Sequence, residues 1–337
     1  MTQQIHELLS TKHPLRFSDS GSFRIMMFSD IHGGRGFAAE ETHDAIEALV
    51  SAANPDLVLI GGDICGPGYI HAETTDDVRF VLDTITEPME KRGIPWAHVF
   101  GNHDDNYGIP NAVQQPIYES YPHCLSKAGP EDIDGVGNYF LPIFNASGND
   151  VLFGVWGLDS HHSMPEFFED YNIPEKTRYF HPCPASSGDY DGPRTSQVFW
   201  YWQSSLLLQS HLGHKVPALM YMHIPTPEHA LATVHKNTLG FKDYQLEDVA
   251  CHTLNSGLFS ACVQRGDVRA IFCGHEHENN FCTEYFGIKL GYDGFLSYHA
   301  CHNEDLRGCR LFDLNAEDPS KINTKILLLR DVQNKES

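Results

Sequence analysis

Five times along this chain a short apolar run stops abruptly at aspartate, asparagine or histidine. Trp96-Ala97-His98-Val99-Phe100 leads into Gly101-Asn102-His103-Asp104, which places an amide, an imidazole and a carboxylate in three consecutive positions. Phe23-Arg24-Ile25-Met26-Met27-Phe28 leads into Ser29-Asp30-Ile31-His32, and the run from Asp56 to Ile60 leads into Gly61-Gly62-Asp63. Later come Leu219-Met220-Tyr221-Met222-His223 and Cys273-Gly274-His275-Glu276-His277. Any one of these is ordinary turn chemistry. Five strand ends that all carry oxygen or imidazole ligands read as one polynuclear metal site. Such a site demands a fold that brings those ends to a common edge.

The intervals between the runs indicate that fold. Glu40 to Ala53 carries Ala45, Ile46, Leu49 and Val50 at helical spacing and is stopped by Asn54-Pro55. Thr75 to Lys91 puts Val78, Val81, Leu82, Ile85 and Met89 on one helical face, with Gly93 after its end. Strand, helix, strand, helix and strand thus alternate, and ligands of open α/β sheets gather at the C-terminal edge of the strands. From Tyr107 to Thr195 the rhythm breaks, and only Val151 to Trp156 reads as a clear strand. This loop-rich region is expected on the substrate side. A helix is predicted over Thr195–His211 and a strand over Ala218–Met222. Later strands are predicted at Val268–Cys273, Asn280–Phe286, Ile288–Tyr292, Cys309–Leu314 and Lys325–Leu329. The expected architecture is α/β, an αββα sandwich of two mixed β-sheets flanked by helices. Residues 1–20 read as a polar lead-in and residues 21–337 as a single domain.

Charge narrows the partners. Across 337 residues, 23 Lys and Arg face 45 Asp and Glu, a net charge of −22. This disfavours a nucleic acid polymer, whose backbone demands clustered cations. No apolar run reaches the ~18 residues that span a membrane, and the N-terminus lacks a signal-peptide core. The nine cysteines form no Cys-x-x-Cys pair. They are expected as reduced core thiols of a cytoplasmic protein.

The candidate ligands differ in what they offer. Asp30 and His32 lie two positions apart, so on an extended backbone they face one side and can chelate one ion. Asp63, on a glycine-flanked turn, has two oxygens and can bridge two ions. Asn102 adds a neutral oxygen, and His223, His275 and His277 add imidazoles. Oxygen and nitrogen donors without thiolate suit Mn, Fe or Zn. Two such ions bring about +4 or +5 against roughly −2 from the carboxylates and −1 from a hydroxide, leaving enough charge to hold a phosphate. Water acidified by both ions is a nucleophile for in-line attack on phosphorus. His103, beside a ligand but not needed as one, is the candidate general acid, with Asp104 expected to orient and charge it. His98 reads as a core residue, and His161 and His162 as either substrate contacts or loop supports.

In this order the motifs resemble the calcineurin-like metallophosphoesterase superfamily, whose pattern is Asp-x-His, Gly-Asp, Gly-Asn-His-Asp/Glu, His and Gly-His-x-His. The resemblance covers roughly residues 23–315. It implies that Asp30, His32, Asp63 and His277 hold one metal, that Asp63, Asn102, His223 and His275 hold the other, and that His103 donates the proton. Phe23 to His32, and more weakly Gly291-Tyr292-Asp293-Gly294, look like the purple acid phosphatase-like branch. That branch carries Asp-x-x-Tyr, but the third residue after Asp63 is Gly66, and Tyr69 comes three positions too late. A colourless centre is expected. The implied activity is hydrolysis of phosphate esters: a phosphomonoesterase, or alternatively a phosphodiesterase acting for example on cyclic nucleotides. The substrate would be a small phosphate ester, a nucleotide or a phosphoprotein. A non-catalytic scaffold could keep the ligands but would have no need of His103.

Overall fold

The computed structural model describes residues 3–35, 39–66, 74–106, 108–174, 189–300 and 303–336. A helix α1 (Gln3–Leu9) and a two-residue strand β1 (Leu15–Arg16) come first. β2 (Ser22–Phe28), α2 (Ala39–Ala53), β3 (Leu57–Ile60), α3 (Thr75–Glu90) and β4 (Trp96–His98) then alternate as the periodicity predicts. The middle of the chain contains α4 (Asn111–Glu119), β5 (Tyr139–Phe144), β6 (Val151–Gly157), α5 (Met164–Asp170) and α6 (Thr195–Leu212). β7 (Ala218–Tyr221), α7 (Pro227–Val234), α8 (Lys236–Leu239), α9 (Leu258–Arg265) and β8 (Val268–Cys273) follow. β9 (Cys282–Tyr285), β10 (Ile288–Tyr292), β11 (Gly308–Asn315), β12 (Asn323–Leu328) and α10 (Leu329–Glu336) complete the fold.

Two mixed sheets result. The five-stranded sheet runs β12-β11-β2-β3-β4, with β2, β3 and β4 parallel and β11 antiparallel to both of its neighbours. The seven-stranded sheet runs β1-β5-β6-β7-β8-β10-β9, parallel from β6 through β10 and antiparallel at β5–β6 and β10–β9. β2 shows how the layers are glued. Ile25 and Met27 point between the sheets toward the cluster that holds Phe153, Val155 and Phe272, while Met26 and Phe28 join the outer cluster with Leu49 and Leu82 of α2 and α3. A strand buried on both faces reads as a continuous apolar run, which is why β2 was legible. Ile5, Leu8, Trp200, Tyr201, Leu258 and Cys262 cover the outer face of the seven-stranded sheet. The order is helix, sheet, sheet, helix.

Residues 3–20, read as a polar lead-in, pack onto the fold. Ile5, Leu8, Leu15 and Phe17 are buried, and β1 pairs in parallel with β5, Leu15 opposite Ile143. The region 107–195 also holds more structure than its composition suggests. Pro142 lies inside β5, and proline demotes a sequence run from strand. Pro116 lies inside α4, which has no side-chain cap. Among the described residues no helix is long and apolar enough to cross a membrane. The seven described cysteines are all buried and none is in a disulfide, while Cys183 and Cys301 lie outside the described residues.

Candidate metal centre

The turns after β2 and β3 are stitched together. The Asp30 amide donates to the Gly62 carbonyl (3.0 Å), and the amides of Ile31 and His32 both donate to that of Asp63 (2.9 Å each). Asp30 (φ 51°), His32 (50°), Asp63 (49°) and His275 (79°) all adopt the left-handed conformation that non-glycine residues rarely take. Such strain gathers at functional sites and persists where the surroundings over-determine it. The extended-backbone reading of Asp30-x-His32 is thereby corrected: the two converge because each turns on itself, not through strand alternation.

Two groups of three residues meet here. Asp30, His32 and His277 form one, and Asp63, His223 and His275 the other, with the ligand atoms of each group within 4.8 Å of one another. His277 Nε2 is 3.3 Å from Asp30 Oδ1, and His223 Nε2 is 3.2 Å from Asp63 Oδ2. Asp63 Oδ2 also lies 3.8 Å from His32 Nε2, between the groups. Asn102 has a buried amide oxygen without a hydrogen bond, and the adjacent His103 amide donates to Asp63 Oδ1 (2.8 Å). The loops after β2, β3 and β4 carry Asp30, His32, Asp63 and Asn102, and those after β7 and β8 carry His223, His275 and His277. Each group therefore draws on both sheets.

These residues suit metal ions. Asp30 Oδ1, Asn102 Oδ1 and His223 Nε2 are buried with no hydrogen bond, a costly state for atoms with no other partner. The remaining atoms of the same side chains are fixed from behind. Asp30 Oδ2 accepts from Ser29 Oγ and from the His275 amide (3.0 Å), His223 Nδ1 donates to the Gly61 carbonyl (2.8 Å), and His277 Nδ1 donates to that of Ala300. Ligands held this way present one defined atom to an ion. Only glycine fits at 101, where an added Cβ would lie 2.2 Å from Asp63 Oδ1. Charge tells the same story. Burial alone would lower His223, but Asp63 and Asp30 outweigh it and raise it to about 10. His277 rises to about 9, with Asp30 overcoming burial. Burial raises the Asp63 carboxyl, yet His223 and His32 hold it well below the usual range.

His103 lines the cleft over the two groups, and its Nδ1 lies 2.6 Å from the Asn106 amide nitrogen. Asp104 does not orient it. Its carboxylate accepts from the backbone amides of Ile64 and Cys65 (2.8 Å each) and Gly101 (2.7 Å), pointing away into the fold. Burial, with Asp63 nearby, raises that carboxyl to about 7. His161 is buried against Gln197 (3.0 Å), a loop support, and His162 pairs with Asp105 (3.2 Å). The cleft, of about 310 Å³, is also lined by Tyr190, Glu247, Asp248 and Glu276. None of these four, nor Asn106, was singled out from the sequence, because no local pattern marks a residue that reaches a site through tertiary packing.

Gly66 explains the missing tyrosine. A Cβ at that position would lie 2.2 Å from His32 Nδ1, so the His32 ring fills the space. Tyr69 lies outside the described residues.

Residues 23–279 match the family described as Calcineurin-like phosphoesterase. The chain is 30% identical, over 86% of its own length and 74% of the relative, to the Arabidopsis thaliana protein named "Probable inactive purple acid phosphatase 14". It is 28% identical to "Phosphatase DCR2" of Saccharomyces cerevisiae, over 80% of this chain and 46% of that one. A dimetal phosphatase structure from Danio rerio shares the fold with a TM-score of 0.56 at 15% identity, covering 91% of this chain and 99% of that one. The family match spans every ligand-bearing strand end, from Asp30 to His277, and the chain belongs to the calcineurin-like phosphoesterases.

Proposed function

We propose that this chain is a metal-dependent hydrolase of phosphate esters, acting first on monoesters. The observation that carries the reading is one cleft that joins two metal-ligand groups to a histidine belonging to neither. Asp30, His32 and His277 would hold one ion and Asn102, His223 and His275 the other, with Asp63 serving both. When bound, two such ions supply Lewis acidity to the phosphoryl group and to the attacking water. Mn, Fe and Zn all suit the donor set.

The chain's own residues do the rest. With the Asn106 amide donating to Nδ1 of His103, the ring proton sits on Nε2, the nitrogen available to the leaving oxygen. The 310 Å³ volume suits a small ester. Some relatives carry "inactive" in their names. A scaffold of that kind would need the ligands at most, whereas here a non-ligand imidazole also faces the cleft. Metal-stripped protein given Mn, Zn or Fe in turn, and assayed on a phosphomonoester and its diester analogue, tests the reading. Monoester preference is expected. Diester preference would make it a phosphodiesterase, and no turnover with any metal would leave a scaffold.

A further inference from the structure

The cleft is bipolar. Its floor is the metal-ligand cluster, suited to a phosphate. Its side wall carries Glu247, Asp248 and Glu276, and no lysine or arginine stands among the described lining residues. Glu247 Oε2 accepts from the Glu278 amide (2.6 Å), and Oε1 of the buried Glu276 carboxyl accepts from that of Ala250 (2.5 Å). Glu276 is only 8% exposed, and its second oxygen makes no hydrogen bond although the Tyr292 hydroxyl is near. Beside them Tyr190 stands edge-on to His275, ring centroids 4.3 Å apart. Its backbone is held by the Thr253 amide (2.8 Å). An aromatic face among carboxylates is the chemistry that recognises an ammonium group. A polyanionic substrate such as a nucleotide would place like charge against this wall, which complementarity disfavours.

We propose that the preferred substrate is the phosphate ester of an amino alcohol, its phosphate over the metal-ligand floor and its ammonium against Tyr190, Glu247 and Asp248. This rests on the phosphoester hydrolase reading. Hydrolysis breaks the bond between phosphorus and the alcohol oxygen, water supplies the new phosphate oxygen, and the amino alcohol leaves with one proton.

The test compares choline phosphate with 3,3-dimethylbutyl phosphate, which has the same shape without the charge, on the metal-loaded full chain. A kcat/KM at least ~10-fold higher for choline phosphate is expected, falling toward parity in a Glu247→Gln, Asp248→Asn double variant. Equal turnover of both esters would overturn the ammonium assignment while leaving the hydrolase reading intact. If neither is turned over while another phosphomonoester is, the proposal falls and the hydrolase reading stands. If no ester is turned over with any metal, the hydrolase reading fails, and calorimetry of the same two compounds still decides: equal affinity overturns the proposal, and preferential binding of choline phosphate supports it. A third equivalent of bound metal that disappears in the double variant would also overturn it, assigning the acidic wall to an ion.

Discussion

His103 and His98 sit five positions apart and do opposite things. His103 faces the cleft but contributes no atom to either ligand group, and its contact with Asp63 runs through the backbone amide, which any residue keeps. His103→Ala should therefore retain two metal equivalents, counted by elemental analysis, while kcat falls by ~100-fold or more, the scale of a lost general acid. Loss of metal in that variant would recast the residue as structural. His98 is fully buried, stacked on Tyr118 with ring centroids 3.7 Å apart. Ser126 Oγ accepts from the His98 amide (2.7 Å) and shares a hydrogen bond with His98 Nδ1 (2.8 Å), and no charged partner offsets the burial of the ring. Burial lowers His98 to about 3 from the usual 6.5. Between those values the unfolded chain binds a proton that the folded one refuses. The stability from neutral His98 is complete above pH 6.5 and is lost as pH falls toward 3, by about 1.4 kcal/mol per pH unit at most. Urea melts of the protein and of His98→Phe should diverge in slope only below pH 6.5. Parallel curves would mean that His98 titrates normally.

At the scale of elements, the site depends on how the loops after β3 and β4 are tied together. Asp104 is the tie, accepting three backbone amides from the two loops. Asp104→Ala would orphan all three, at about 3 kcal/mol or more, and the denaturation midpoint should drop accordingly. Asp104→Asn keeps an acceptor and should cost less. Equal midpoints for protein and Asp104→Ala would place the clasp elsewhere. The same residue shows where sequence reading ends. Asp104 neighbours His103 in the chain, and adjacency suggested partnership, but their side chains diverge and Asn106 takes the expected place. The convergence of the candidate ligands was legible because each follows an apolar strand, and parallel strands deliver such residues to one edge. β5 was hidden by Pro142, and the α1–β1 segment by the polar residues between its few buried ones. Tyr190, Glu247 and Glu276 come together only through long-range packing, which leaves no periodicity to read.

For the whole molecule, the metal-ligand cluster is where the two sheets must agree. Deeper in the sandwich they are held mostly by apolar contacts, such as Phe272 ring-to-ring with Phe312 at 4.8 Å, with the Tyr139 hydroxyl on the His98 carbonyl and Arg310 on the Tyr292 carbonyl as buried polar ties. At the cluster edge the contacts are polar and unfinished: Asp30 faces His277 and His223 across the gap, and Asp63 faces His223. Buried, like-charged Asp30 and Asp63 resist this approach unless cations sit between them. Metal ions bound there would tie the two sheets together as well as serve the proposed hydrolysis. A ligand that binds only the folded state adds about 2.7 kcal/mol when present at a hundred times its dissociation constant. Chelation should therefore lower the melting temperature by several degrees without unfolding the chain at neutral pH, because protons on His223 and His277 supply part of the missing charge. Loosening should be local. Amide exchange should quicken at His32 and Gly274, whose hydrogen bonds tie the ligand loops, and stay slow at Leu59 and Phe272 in the strands behind them. A chelated protein that melts and exchanges as before would show that these seven residues hold no metal, and the hydrolase reading would fall with them.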